Sequence, residues 1–157
     1  MGTELPPDLA ALSALSVMQP WAWLIVRRLK PIENRTWSTR FRGPVLIHAG
    51  LKIDRDAEAD LRAGRHPVTG EPFAVELPAE FERGGIVGHG RIVGCVAHSD
   101  SEWFVGDFGF LVADAGPLPL VPCRGALGFF RPQFGTAPPS APPPQPLDLF
   151  SALAPPR

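Results

Sequence analysis

Ser16–Gly50, SVMQPWAWLIVRRLKPIENRTWSTRFRGPVLIHAG, packs three of the chain's four tryptophans and six of its fifteen basic residues into 35 positions. Arg27, Arg28, Lys30, Arg35, Arg40 and Arg42 stand against one acid, Glu33, so Arg27–Gly43 carries +5 while the whole chain carries −1 and the remainder −6. Such a local field attracts a polyanion without making the protein basic overall. Tryptophans interleaved with it can stack on bases. The stretch reads as a nucleic-acid or nucleotide site.

The same segment sets the first elements. Leu15–Met18 predicts a short strand. Pro20 suits a helix start, where the donor it lacks would be unpaired anyway. Trp21, Leu24 and Ile25 follow at i, i+3, i+4, one apolar helix face. Pro31 stops the helix, with Arg27, Arg28 and Lys30 near its C-terminal end, where cations complement the dipole. Ile32–Trp37 reads as extended, and Pro44–Ala49 as an apolar strand closed by Gly50. Asp54 opens a helix to Ala63, followed by Gly64. His66–Pro72 is a loop, and glycine-rich Gly85–Ala97 a bent strand. Phe108–Ala113 and Ala126–Phe130 are two more strands, with LPLVP (118–122) between them. About five strands, many glycines and few helices predict a small, closed or nearly closed barrel.

A chain of 157 residues with 45% hydrophobic content and a mean hydropathy of +0.04 suits one globular domain. It has no apolar run long enough to cross a bilayer. The N-terminus, MGTELPPDLAALSAL, lacks the basic start of a secretory signal, and position 6 lacks the Ser/Thr of a myristoylation sequence. Cys95 and Cys123 allow at most one disulfide; free thiols and a cytoplasmic location are expected. TAPPSAPPPQP (136–146) has six prolines in eleven residues and no charge, which favours polyproline II over a core. The expected organisation is an N-terminal extension (1–14), a folded domain (15–133) and a Pro-rich tail (134–157).

Gln19-Pro20-Trp21-Ala22, then Leu29-Lys30-Pro31-Ile32-Glu33-Asn34-Arg35, Arg42-Gly43 and Leu46-Ile47-His48-Ala49 together resemble the ASCH domain of the PUA-like superfamily. Its signature is Gly-x-Lys-x-x-Glu-x-Arg after the first helix; this chain matches at Lys30, Glu33 and Arg35 and has Arg28 at the glycine. The likeness continues through Gly85–Gly88, Cys95-Val96, Trp103-Phe104, Gly109-Phe110 and Arg124–Phe129. It implies an α+β, mainly β fold: a PUA-like barrel of five or six strands flanked by two or three helices, with a cleft lined by the signature. Binding of RNA or a modified nucleotide is the implied function. Some members resemble ribonucleases, and one subgroup resembles amidohydrolases of acylated cytidine with a threonine three residues after the lysine. Glu33 occupies that position, and a carboxylate does not replace a hydroxyl in amide hydrolysis.

Each candidate residue has a plainer reading beside the functional one. Glu33 can accept from a base edge or act as general base with Lys30 and Arg35 clamping phosphate, or the three can form an ion pair at the helix exit. Trp21, Trp23 and Trp37 can stack a base or fill the core. Gln19 can present its amide to a base or satisfy the helix start. Arg40 and Arg42 offer phosphate contacts. For a hydrolase, the candidates are Lys30 and Glu33, then Thr36 and His48; His48 is otherwise a hydrogen-bonded, partly buried histidine. His89, Cys95 and His98 fall short of a four-ligand zinc pattern, so no metal is expected, nor a cofactor. In the tail, Gln145, Leu147, Asp148, Leu149 and Phe150 fit Gln-x-Leu-x-Leu-Phe, which resembles the peptide that docks bacterial proteins on the β sliding clamp. An apolar hexapeptide beyond a proline spacer suits a partner pocket, as in a replication or repair accessory protein tethered to the clamp; the plainer reading is a tail that folds back on the barrel or stays disordered.

Overall fold

The computed structural model describes residues 4–134. Six strands, β1 (Ala14–Gln19), β2 (Ile32–Arg35), β3 (Gly43–Ile53), β4 (Gly85–Val96), β5 (Phe108–Pro122) and β6 (Phe129–Phe130), form one sheet in the order β2-β5-β4-β3-β1-β6. Helices α1 (Pro7–Ala10), α2 (Trp21–Val26) and α3 (Arg55–Arg62) accompany it. The fold is mainly β, and the sheet curls into a half-barrel. β1 and β3 pair in parallel; the other neighbours are antiparallel. The edge strands β2 and β6 are the shortest, which limits unpaired backbone. Where the curl leaves β1 and β2 unpaired with each other, the Arg35 guanidinium of β2 donates to the Ser16 carbonyl of β1.

Helix α2 lies against the inner face, and Ile25 and Val26 join Leu15, Val17, Val45, Ile47 and Phe110 in the main core. Glycine on β4 permits this approach: a Cβ at Gly88 would stand 2.3 Å from Val26 Cγ1. The β4–β5 register shifts three times, each shift next to a glycine or a histidine of the Gly88–Gly94 stretch, which bends the strand.

Two sequence expectations are corrected. The first helix stops at Val26 instead of running to Pro31. Arg28 adopts φ 66°, its amide bonds Ile25 O, and Leu29 N bonds Leu24 O. These two bonds are the Schellman closure, whose left-handed residue is usually glycine. Arg28 holds that residue's place. Second, residues 118–122 continue β5 rather than linking two strands. β2 covers only Phe108–Leu111, so beyond them β5 has an open edge where prolines are tolerated. The last strand is correspondingly shorter than Ala126–Phe130.

Candidate functional site

The Schellman turn throws the chain back so that Lys30 enters the protein. Its side chain is 2% exposed, with Nζ donating to Ile32 O at 2.6 Å and to Glu33 Oε1 at 3.1 Å. A buried ammonium demands such partners, since desolvation of an unpaired charge costs several kcal/mol. Glu33 Oε2 lies 3.2 Å from Arg35 Nε, close enough for attraction, yet that buried N–H is not aligned for a hydrogen bond. Glu33 therefore keeps acceptor capacity, and Lys30 one of three donors.

These two side chains open on a cavity of about 410 Å³. Trp21 and Asp54 form a second side of it, and Asn34 lines it beside Glu33. Trp21 Nε1 donates to Asp54 Oδ2 at 3.2 Å, and Lys30 Nζ lies 5.4 Å from the centre of the indole ring. Asp54 also caps α3, its Oδ1 accepting from Ala57 N at 3.1 Å. Asn34 ties down the β4–β5 loop, donating to Trp103 O and accepting from Val105 N; Val105 belongs to the cavity lining. Pro67 and Val68 complete it. They are placed by His66, whose Nδ1 accepts from the Val68 and Thr69 amides while its ring packs 3.9 Å from Trp103.

The other sequence candidates lie elsewhere. Trp23 faces a different concavity of about 450 Å³, lined also by Arg27, Leu29 and residues 75–78. Trp37 packs edge-on against Phe110 and Phe129, with Arg35 6.0 Å above it. Gln19 is buried, its Oε1 accepting from Trp23 N at the start of α2 and its Nε2 donating to Glu82 O. Thr36, Arg40 and Arg42 are exposed between β2 and β3; Arg42 donates to the Thr39 and Phe41 carbonyls. His48 sits on β3, its Nδ1 3.0 Å from Ser16 Oγ and its Nε2 2.9 Å from Cys123 O. The carbonyl fixes Nε2 as the donor and leaves Nδ1 to accept the hydroxyl. Burial lowers the His48 pKa below the usual value, against a smaller raising effect of the carbonyl. Burial likewise pushes the Cys123 thiol up. The tail candidates Gln145, Leu147, Asp148, Leu149 and Phe150 lie outside the described residues.

Asn34, Asp54 and His66 were not singled out as site residues by sequence. Asn34 stands inside the Glu-Asn-Arg run, and Asp54 carries only a helix-opening signal. His66 carries none, because its part is played through loop amides.

A half-barrel of few helices, with lysine and glutamate paired at the exit of its first full helix, defines a class of small β-fold with a charged cavity. Residues 15–106 match the ASCH domain family, and the chain belongs to that family. It is similar to activating signal cointegrator 1 of Homo sapiens, 36% identical over 84 residues, which are 53% of this chain and 14% of that protein. The mouse protein of the same name is 33% identical over 89 residues, 56% of this chain and 15% of its own length. The likeness thus spans a small part of these relatives. Among the described residues, no helix is long and apolar enough to cross a membrane.

Proposed function

We propose that this ASCH domain binds RNA or a modified nucleotide, taking a base into the Trp21–Lys30–Glu33 cavity. The observation that carries this reading is the buried Lys30–Glu33 pair, which opens on the cavity with unused donor and acceptor capacity. A donor and an acceptor beside an indole match the edge and face of a nucleobase. Exposed Arg40 and Arg42 supply phosphate contacts for a polymer outside the cavity. The described lining holds no hydroxyl or thiol side chain, which disfavours a covalent acyl-enzyme route; in a hydrolase, activation of water would fall to Glu33 with Lys30.

Glu33→Gln tests the reading. It preserves shape and the Lys30 contact but removes the charge-assisted acceptor, so nucleoside affinity measured by calorimetry should fall on the order of tenfold with folding retained. Unchanged affinity in that variant would remove Glu33 from recognition.

A further inference from the structure

We infer that Asp54 is the specificity-determining residue of this cavity, making it a pocket for an uncharged, donor-edged nitrogen heterocycle and closing it to phosphate. The inference rests on the base-binding reading above and goes one step further, to the class of ligand the cavity accepts. Three ionisable side chains line the space: Lys30, Glu33 and Asp54. One cation against two carboxylates leaves the lining itself at −1, with Arg35 behind Glu33 and outside the lining, and the lining cation is already committed to Ile32 O and Glu33. A phosphate entering here would meet two carboxylates and an ammonium with one donor to spare. An amino or ring N–H edge, by contrast, meets acceptors. Carboxylates accept from the exocyclic amino group of bases in just this way.

Asp54 contributes more than charge. Its two oxygens have separate tasks, one capping α3 through Ala57 N and the other anchoring the Trp21 indole N–H. Trp21 is half-buried on α2 and has no other hydrogen-bond partner for Nε1 among the described contacts. Asp54 thereby sets the orientation of the indole wall, acting on the ligand through Trp21 as a positioning residue. Its own backbone N–H is bound to Gln19 O at 2.7 Å, so the carboxylate is presented from a fixed main chain.

Asp54→Asn separates the two tasks. Asn is as good a helix cap as Asp, but its side chain has one oxygen. With that oxygen on Ala57 N, the amide group turns an N–H toward the indole N–H, and two donors face each other.

The experiment uses the full chain, with the four ribonucleosides, their 5′-monophosphates, a short single-stranded RNA and inorganic pyrophosphate as probes in calorimetry. In the wild type, nucleosides with an amino edge should bind best, and their 5′-monophosphates no more than about threefold tighter. An RNA that binds while nucleosides do not overturns the assignment of this cavity as a base pocket and leaves RNA binding to the exposed arginines. Asp54→Asn should weaken nucleoside binding on the order of tenfold, leave pyrophosphate binding equal or stronger, and shift the Trp21 indole N–H resonance. Trp21→Phe removes that N–H, so adding Asp54→Asn to it should cost less affinity than Asp54→Asn costs in the wild type.

A wild type that prefers pyrophosphate or monophosphates strongly over nucleosides overturns the assignment. So does Asp54→Asn with unaltered nucleoside affinity and an unmoved indole resonance. Wild-type protein that binds none of the probes defeats the base-binding reading itself, and the selectivity with it.

Discussion

Trp21 and Trp23 stand two positions apart on α2, turned roughly 200° from each other, and each faces a concavity. The spaces are similar in size, about 410 and 450 Å³. Their chemistry is not. Beside Trp21, Lys30 and Glu33 are buried and paired, and an aspartate anchors the indole. Beside Trp23, the charges are Arg27 and Glu76, both exposed, with Arg27 5.8 Å over the ring and Phe81 packed edge-on against it. Volume alone does not tell a site from a dent. What separates the two is charge the fold has taken out of water and held at a cavity wall, which costs stability and so needs a compensating reason.

The largest expected effect follows from that cost. Lys30→Met leaves Glu33 buried with only the misaligned Arg35 beside it, and should lower unfolding free energy by about 3–5 kcal/mol. Arg27→Met, on the Trp23 side, removes only an exposed cation–π contact and should cost about 1 kcal/mol or less. Urea denaturation of the pair measures both. Equal losses would dissolve the distinction between the two concavities.

A smaller effect is expected at the rim of the comparison, where Arg40 and Arg42 lie exposed on the β2–β3 connection. Reversing both to Glu should weaken single-stranded RNA binding and flatten the dependence of log affinity on log salt by about 1.4, roughly 0.7 for each lost phosphate contact. Nucleoside affinity should stay as it is, because a base in the cavity touches neither arginine. A salt slope that survives the double reversal would route the RNA elsewhere.

Legibility in the sequence tracked how local each cause is. The strands at β1, β3 and β4 announce themselves through apolar runs and glycines, and Asp54 through its capping position. The end of α2 did not, because Arg28 occupies a left-handed position that glycine would have marked. The length of β5 was hidden by Pro117, Pro119 and Pro122, whose tolerance depends on β2 being short. In the site, the Lys30–Glu33 spacing put an ion pair within reach of sequence reasoning. The sharing of Asp54 between a helix cap and an indole was not, since it requires β3 and α2 to meet. The +5 of Arg27–Gly43 is divided in space: Lys30 and Arg35 turn onto Glu33, while Arg27, Arg28, Arg40 and Arg42 stand exposed.

The smallest effect concerns His48, which lines neither concavity. Its neighbours are Ser16 Oγ, the Cys123 carbonyl and the Phe130 ring, and burial holds its pKa below the ordinary value near 6.5. The folded protein therefore binds this proton more weakly than the unfolded chain. As pH falls through about 6.5, the unfolded state gains a proton that the folded state declines, and stability drops. The loss levels off once the pH passes below the lowered pKa and the folded form is protonated too. A single group can impose a slope of at most about 1.4 kcal/mol per pH unit in that window. His48→Gln keeps a donor and an acceptor without the titration. Unfolding free energies at pH 7.5 and 5.5 should thus differ less in the variant than in the wild type, while nucleoside affinity shows the same pH profile in both. An identical acid loss in His48→Gln would assign it to other groups, and a changed affinity profile would tie His48 to the cavity after all.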